Sequence, residues 1–148
     1  MATITGGDKL EKALRELARN VSKPGTLRVG FLENATYPSG MPVAAVAALN
    51  EYGVPSRGQP PRPFFRNMIA DKQGQWAPAA EQALKANGYD ATAALKVVGT
   101  GIAGQLKQSI VDLMSPPLAP STIARKGHAK PLIDTSTMLK SVDYEVKS

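Results

Sequence analysis

Cysteine is absent from the 148 residues. That removes disulfides, thiol catalysis and thiolate metal sites together. Histidine occurs once, as His128. Without cysteines, one histidine cannot build a structural zinc site, and it makes a poor general base between Lys126 and Lys130. Of the carboxylates, only Asp134 lies near it in sequence. Asp71, Glu81, Asp112 and Asp134 stand apart, so no spacing argues for hydrolysis by a pair of acids. No long apolar run interrupts the chain, which argues against a membrane span. Met1–Lys12 is polar and lacks the apolar centre of a secretory signal, so synthesis in the cytoplasm is expected. Asn34-Ala35-Thr36 matches the glycosylation sequon, which has no meaning without secretion. Aromatic residues are scarce at 5%, so an adjacent pair such as Phe64-Phe65 stands out.

What is present suits one domain over residues 1–148 with a single core. The apolar content of 43% against 20% charge is that of an ordinary folded chain. A formal charge of +6 fits contact with nucleic acid or with an acidic protein surface. It fits a solvated surface equally well, because Lys and Arg are spread along the chain rather than blocked.

Taken in order, Asp8 and Glu11 make a capping-box-like start. Leu10, Leu14, Leu17 and Val21 then recur at helical spacing, with Lys9, Lys12, Arg15 and Arg19 on the wet face. Lys23-Pro24-Gly25 ends that helix, giving an N-terminal helix within residues 1–24. Leu27, Val29 and Phe31 alternate with polar or small residues, the period of a half-buried strand over Leu27–Leu32. Pro42 opens a short helix, Val43–Tyr52, which Gly53 closes. Val43, Val46, Ala47 and Asn50 share one of its sides. The linker that follows is dense in Pro, Gly and Arg and is pre-set in an extended form over residues 54–63. It contains no obvious nucleophile or base, and it suggests docking rather than chemistry. Pro63 starts another helix, in which Phe65, Met68, Ile69, Trp76, Ala80, Ala83 and Leu84 face inward. A break near Gly74 is expected in it, and Pro78 would start a fresh segment or kink the old one. At least one of Phe64 and Phe65 is expected in the core.

Asn87-Gly88 stops that helix and Asp90 caps the next, whose stripe runs Leu95, Val98, Ile102, Leu106, Ile110 and Leu113 to a stop at Ser115-Pro116-Pro117. Residues 115–133 form a second long loop, with a short helical turn over Ser121–Arg125. Asp134 or Thr135 caps a last short helix carrying Met138 and Leu139. Val142, Tyr144 and Val146 alternate with charged residues, a second strand whose natural partner is Leu27–Leu32.

Gly99-Thr100-Gly101-Ile102-Ala103-Gly104 matches the dinucleotide fingerprint letter for letter. That fingerprint needs a glycine turn between strand and helix, then a second strand ending in an acid. Neither follows here, and the apolar stripe keeps helical register through the glycines. A helix with packing glycines is the plainer reading, and a nucleotide-binding enzyme the alternative. Arg57, Arg62 and Arg66, with the basic loop Arg125, Lys126, His128 and Lys130, could meet phosphate. Aromatic residues interleaved for base stacking are missing, so only nonspecific DNA contact stays open.

Three stretches occur in an order that resembles a known group. The first is Val46-Ala47-Ala48-Leu49-Asn50-Glu51-Tyr52-Gly53 followed by Pro60-Pro61-Arg62-Pro63-Phe64-Phe65-Arg66. The second is the helix Gly101–Asp112 ending in Pro116-Pro117-Leu118. The third is Pro120-Ser121-Thr122-Ile123, Lys126-Gly127, Pro131-Leu132-Ile133-Asp134-Thr135, then Met138-Leu139 and Ser141-Val142. Together they resemble the neck and tail-completion proteins of long-tailed bacteriophages, a group that includes the minor tail protein Z family and the virion-morphogenesis proteins. The resemblance spans residues 25 to 147. It departs at Ser136, where the family pattern has glycine after Asp-Thr.

The resemblance implies a structural virion protein without catalytic activity or cofactor. It would be assembled in the host bacterial cytoplasm and placed at the head–tail junction. Such proteins form a ring, commonly sixfold, that joins the tail tube to the head connector while DNA passes through. Tail termination or a head-side connector are alternatives within that class. The partners implied are other copies of the chain, the tail tube or tail terminator, and connector proteins, with no membrane. Asn50, Glu51, Arg62, Pro63, Phe64, Phe65 and Arg66 are the expected contacts to neighbouring subunits or the tube. Arg125, Lys126, His128 and Lys130 are expected to face the connector or DNA. The expected fold is α+β, a small antiparallel sheet packed against several helices with long Pro-rich loops.

Overall fold

Two strands lying near opposite ends of the sequence form the sheet that the helices pack on. The structure, a computed structural model, describes residues 6–23, 25–112 and 137–147. Strand β1 (Thr26–Phe31) pairs antiparallel with β2 (Val142–Lys147), in the register Leu27↔Val146, Val29↔Tyr144 and Phe31↔Val142. The alternation read from the sequence therefore puts the apolar set of both strands on one face. The opposite face carries Arg28 across from Glu145, with a 3.5 Å ion pair between them. The fold is α+β, with a two-stranded sheet among the described residues.

Helix α1 (Gly7–Ser22) comes first, then β1, α2 (Val43–Tyr52), α3 (Phe64–Ala86), α4 (Ala91–Asp112), α5 (Thr137–Lys140) and β2. A two-stranded ribbon is marginal by itself and needs a helix beneath it. Here α4 supplies that support. Gly99 is the point of closest approach: a Cβ built there would lie 2.7 Å from Leu27 and 2.6 Å from Tyr144. A Cβ built at Gly101 or Gly104 would meet no atom outside the helix backbone within 4 Å.

Helices α3 and α4 form an antiparallel hairpin. The Tyr89 amide donates back to the Leu84 carbonyl (2.7 Å) while Gly88 takes the left-handed φ of 60°. That is the Schellman closure that glycine after a helix end permits. Asp90 then caps α4 by accepting the Ala93 amide at 3.1 Å. Across the hairpin, the Trp76 indole donates to Gln105 Oε1 (2.8 Å). The main core gathers Val43, Ala47, Phe64, Met68, Leu106 and Ile110, with Met138 and Val142 arriving from the C-terminal elements. A smaller cluster of Ala83, Ala94 and Val98 fills the far end of the hairpin.

Three expectations are corrected. No break occurs at Gly74 or Pro78, since α3 runs unbroken over both. A proline ring inside a helix crowds the carbonyl four residues earlier, and that residue is Gly74, whose backbone has no side chain to resist adjustment. Asp8 is not a cap: α1 starts at Gly7 behind a left-handed Gly6, without any side-chain cap. Asp8 already has helical backbone and lies in the first turn, where it favours the helix dipole. Glu11 pairs instead with Arg15, one turn on. The linker 54–63 is not extended throughout. Val54 and Gln59 exchange two backbone hydrogen bonds (2.9 and 3.1 Å) around a 3-10 turn at Pro55–Arg57, so its first half is a closed turn.

Helix α1 stands apart from all of this. None of its residues is buried, and Leu10, Leu14 and Val21 are 62%, 55% and 53% exposed. Among the described residues, no helix is long and apolar enough to cross a membrane.

Candidate functional site: the α2–α3 corner

The residues singled out around Asn50 and Arg66 come together where α2 ends and α3 begins. Helix α2 has the sequence V-A-A-V-A-A-L-N-E-Y, apolar but for Asn50 and Glu51, and Glu51 falls on the same side as Val43 and Ala47. It is therefore carried inward, to 5% exposure. A carboxylate there needs partners to offset the loss of water. It finds them at the start of α3, where the first amides of a helix have no partner of their own. Glu51 Oε2 accepts the Phe65 amide and Oε1 the Arg66 amide, both at 3.0 Å. Oε1 also accepts Arg66 Nε at 2.8 Å.

The converse holds at the end of α2, where carbonyls are left over. Arg66 donates a terminal nitrogen to the Glu51 carbonyl (3.1 Å), and the Arg62 amide donates to the Asn50 carbonyl (2.6 Å). Each helix thus closes the open end of the other. The acid sits at the positive end of α3 and the base at the negative end of α2, as the helix dipoles favour. The Arg66 guanidinium also lies 5.0 Å from the centre of the Tyr52 ring, a cation–π contact on the outer surface.

Gly53 makes the turn possible. Its φ is 73°, and a Cβ there would come within 2.7 Å of the Gln59 carbonyl oxygen and the Pro61 nitrogen. Both are backbone atoms that cannot swing aside, so only glycine fits. Behind the turn, all three phenylalanines of the chain meet. Phe64, 1% exposed, packs edge-on against Phe31 and tilted against Phe65, with both centroid separations at 6.2 Å. Ser109 of α4 donates its hydroxyl to the Phe64 carbonyl (2.7 Å), which ties this corner to the hairpin.

Among the buried side-chain nitrogens and oxygens of the described residues, one lacks a hydrogen-bond partner, the Nε of Arg62. Burial pulls its guanidinium below the ordinary value, yet arginine keeps its charge throughout the physiological range.

Of the expected contact residues, the corner unites Asn50, Glu51, Arg62, Pro63, Phe64, Phe65 and Arg66. It also divides them. Glu51 and Phe64 face inward and have almost no free surface, while Asn50 is half-buried and turns its side-chain amide back to the Val46 carbonyl (3.0 Å). Arg66 remains open, with 54% of its side chain exposed. Two participants were not singled out from sequence. Tyr52, 65% exposed, carries the Arg66 contact, and Phe31 completes the aromatic cluster. The signal for Glu51's inward position was present: it is the only charge in α2 and lies on the helix's buried side. The expected connector- or DNA-facing set, Arg125, Lys126, His128 and Lys130, lies outside the described residues, as do loop 115–133, the turn at Ser121–Arg125 and the caps Asp134 and Thr135.

Gly99–Gly104 lies inside α4, which begins eight residues before it at Ala91. The amides there belong to the helix ladder, so the glycine turn that would cradle a phosphate is not formed. Among the described residues, no cluster of three or more His, Cys, Asp or Glu could hold a metal ion. No protein-family model, curated protein or solved structure matches the chain.

Proposed function

We propose that this chain is a structural virion protein of the head–tail junction of a long-tailed bacteriophage, acting in tail completion. It forms a ring that joins the tail tube to the head connector, with DNA passing through. What supports the reading is the order of the three motifs, together with the construction of the first. The stretch Asn50-Glu51-Tyr52-Gly53 with Arg62-Pro63-Phe64-Phe65-Arg66 is spent on locking two helices end to end. Its demands on residue identity are structural: an acid to cap, an arginine to close, a glycine to turn. The lock holds Tyr52 and Arg66 rigidly on an outer corner, where they can meet a neighbour without reordering. Tail termination and a head-side connector remain the neighbouring roles within the same class.

The test is mass by light scattering with negative-stain images, for the chain alone and mixed with purified tail tubes and connectors. Rings, or density added at one end of the tube, are expected and would give the symmetry. A monomer that ignores tubes and connectors while binding a nucleotide or naked DNA tightly would overturn the proposal.

A further inference from the structure

The three arginines of the α2–α3 corner stand in different surroundings. Arg66 is answered by Glu51, which accepts its Nε at 2.8 Å and, through the backbone carbonyl, a terminal nitrogen at 3.1 Å. Arg57 lies exposed in the 3-10 turn. Arg62 is half-buried, and its Nε is shut off from solvent without a hydrogen-bond partner among the described residues. None of the ion pairs among those residues includes it. Enclosing part of a charged group is unfavourable unless a partner offsets the lost water. The corner's own acid is occupied: Glu51 Oε2 accepts the Phe65 amide, and Oε1 accepts the Arg66 amide and side chain.

The backbone that carries Arg62 is held on both sides. Its amide donates to the Asn50 carbonyl (2.6 Å), and its carbonyl accepts the Phe64 amide (2.8 Å). Pro60, Pro61 and Pro63 surround it in sequence, each with its φ fixed by the ring. A side chain that starts from so fixed a point loses less freedom on binding than one on a loose loop.

From this we infer that Arg62 is the ionic contact of the corner, and that its guanidinium takes a carboxylate of a neighbouring protein. The inference rests on the head–tail reading above and names the chemistry of one of its joints. The planar fork of a guanidinium matches a carboxylate through two parallel N–H bonds. Phosphate has a matching shape, but duplex DNA is held through many phosphates at once. Arg66, the nearest arginine in sequence, is already neutralised by Glu51. A single enclosed cation beside a neutralised one therefore suits one protein carboxylate better than a run of phosphates. Once the joint closes over such a pair and excludes water, it contributes more than a charge on the rim.

The test compares the full chain with Arg62→Met, which keeps an apolar stem and removes the guanidinium, and with Arg62→Lys. Thermal denaturation of the free chain comes first. Arg62→Met is expected to melt at or above the wild-type temperature, because it removes an enclosed group that has no partner. A clearly lower Tm would show that the guanidinium already serves its own fold, and would overturn the contact. Engagement of purified tail tubes and connectors is then titrated and read by negative stain. Arg62→Met should need at least about thirtyfold more protein for the same occupancy, and Arg62→Lys, which lacks the fork, should recover only part of the loss. Arg62→Met that engages them as well as the wild type would overturn the contact and leave the proposed function standing. A wild-type chain that ignores tubes and connectors would overturn the proposed function, and the contact with it. Loss of binding to a naked DNA duplex, with tube engagement intact, would assign Arg62 to phosphate and overturn the carboxylate.

Discussion

The α2–α3 corner and helix α1 are built on opposite principles. At the corner every helix end is answered: Glu51 takes the amides of α3, and Arg66 and Arg62 take the carbonyls of α2. In α1 the apolar side has no cover among the described residues, and the N-terminus has no side-chain cap. Short isolated helices of 12–15 residues are marginal in water, and the 16 residues of α1 lie near that limit. The corner is finished within one chain, whereas α1 buries no residue. A substitution should therefore cost the free chain much at the corner and little in α1.

The largest effect expected is from Gly53→Ala. The added Cβ collides with backbone at 2.7 Å and is held at a φ of 73°. Overpacking and backbone strain together cost about 3–5 kcal/mol. Thermal denaturation should show a fall in Tm of more than about 10 °C. Next is Glu51→Ala, which leaves the Phe65 and Arg66 amides without an acceptor and should cost about 2 kcal/mol in chemical denaturation. Glu51→Gln, which keeps one acceptor oxygen, should lose less.

Smaller, and of opposite sign, is the effect at the glycines of α4. Gly101→Ala and Gly104→Ala meet nothing within 4 Å and should each stabilise by about 0.5–1 kcal/mol through helix propensity. Gly99→Ala should destabilise, because its Cβ would press on Leu27 and Tyr144. Equal effects at all three positions would show that α4 does not approach the sheet at Gly99. Smallest for the free chain is Leu14→Ser: α1 buries no residue, so unfolding of the body should shift by no more than about 0.5 kcal/mol. A large stability loss from Leu14→Ser would erase the contrast between the two regions.

Local patterns carried much of this architecture. The alternation in Leu27–Phe31 and in Val142–Val146 is strong enough to identify both strands and to pair them. The bounds of α2 follow from Pro42 before it and Gly53 after it. Long-range chemistry is what local patterns missed. Glu51 caps a helix that starts 13 residues later, a relation that no capping motif within a single helix describes. Pro78 reads as a breaker because propensity treats each residue alone, while the compensating Gly74 lies a turn earlier. The role of Gly99 depends on a strand more than 40 residues further on, so the three glycines look equivalent in sequence and are not.

The strand pairing also bears on how the chain folds during synthesis. Strands β1 and β2 begin 116 residues apart, at Thr26 and Val142, with the helical hairpin between them. Helices α3 and α4 contact each other locally and can form soon after they leave the ribosome. Strand β1 must wait, with its backbone groups unpaired and Leu27 and Val29 uncovered, until β2 has been made. At about 5–20 residues per second that wait lasts from several seconds to about twenty. Over that interval the nascent chain exposes an edge that other strands could join, so it is most prone to mispairing before its last strand emerges.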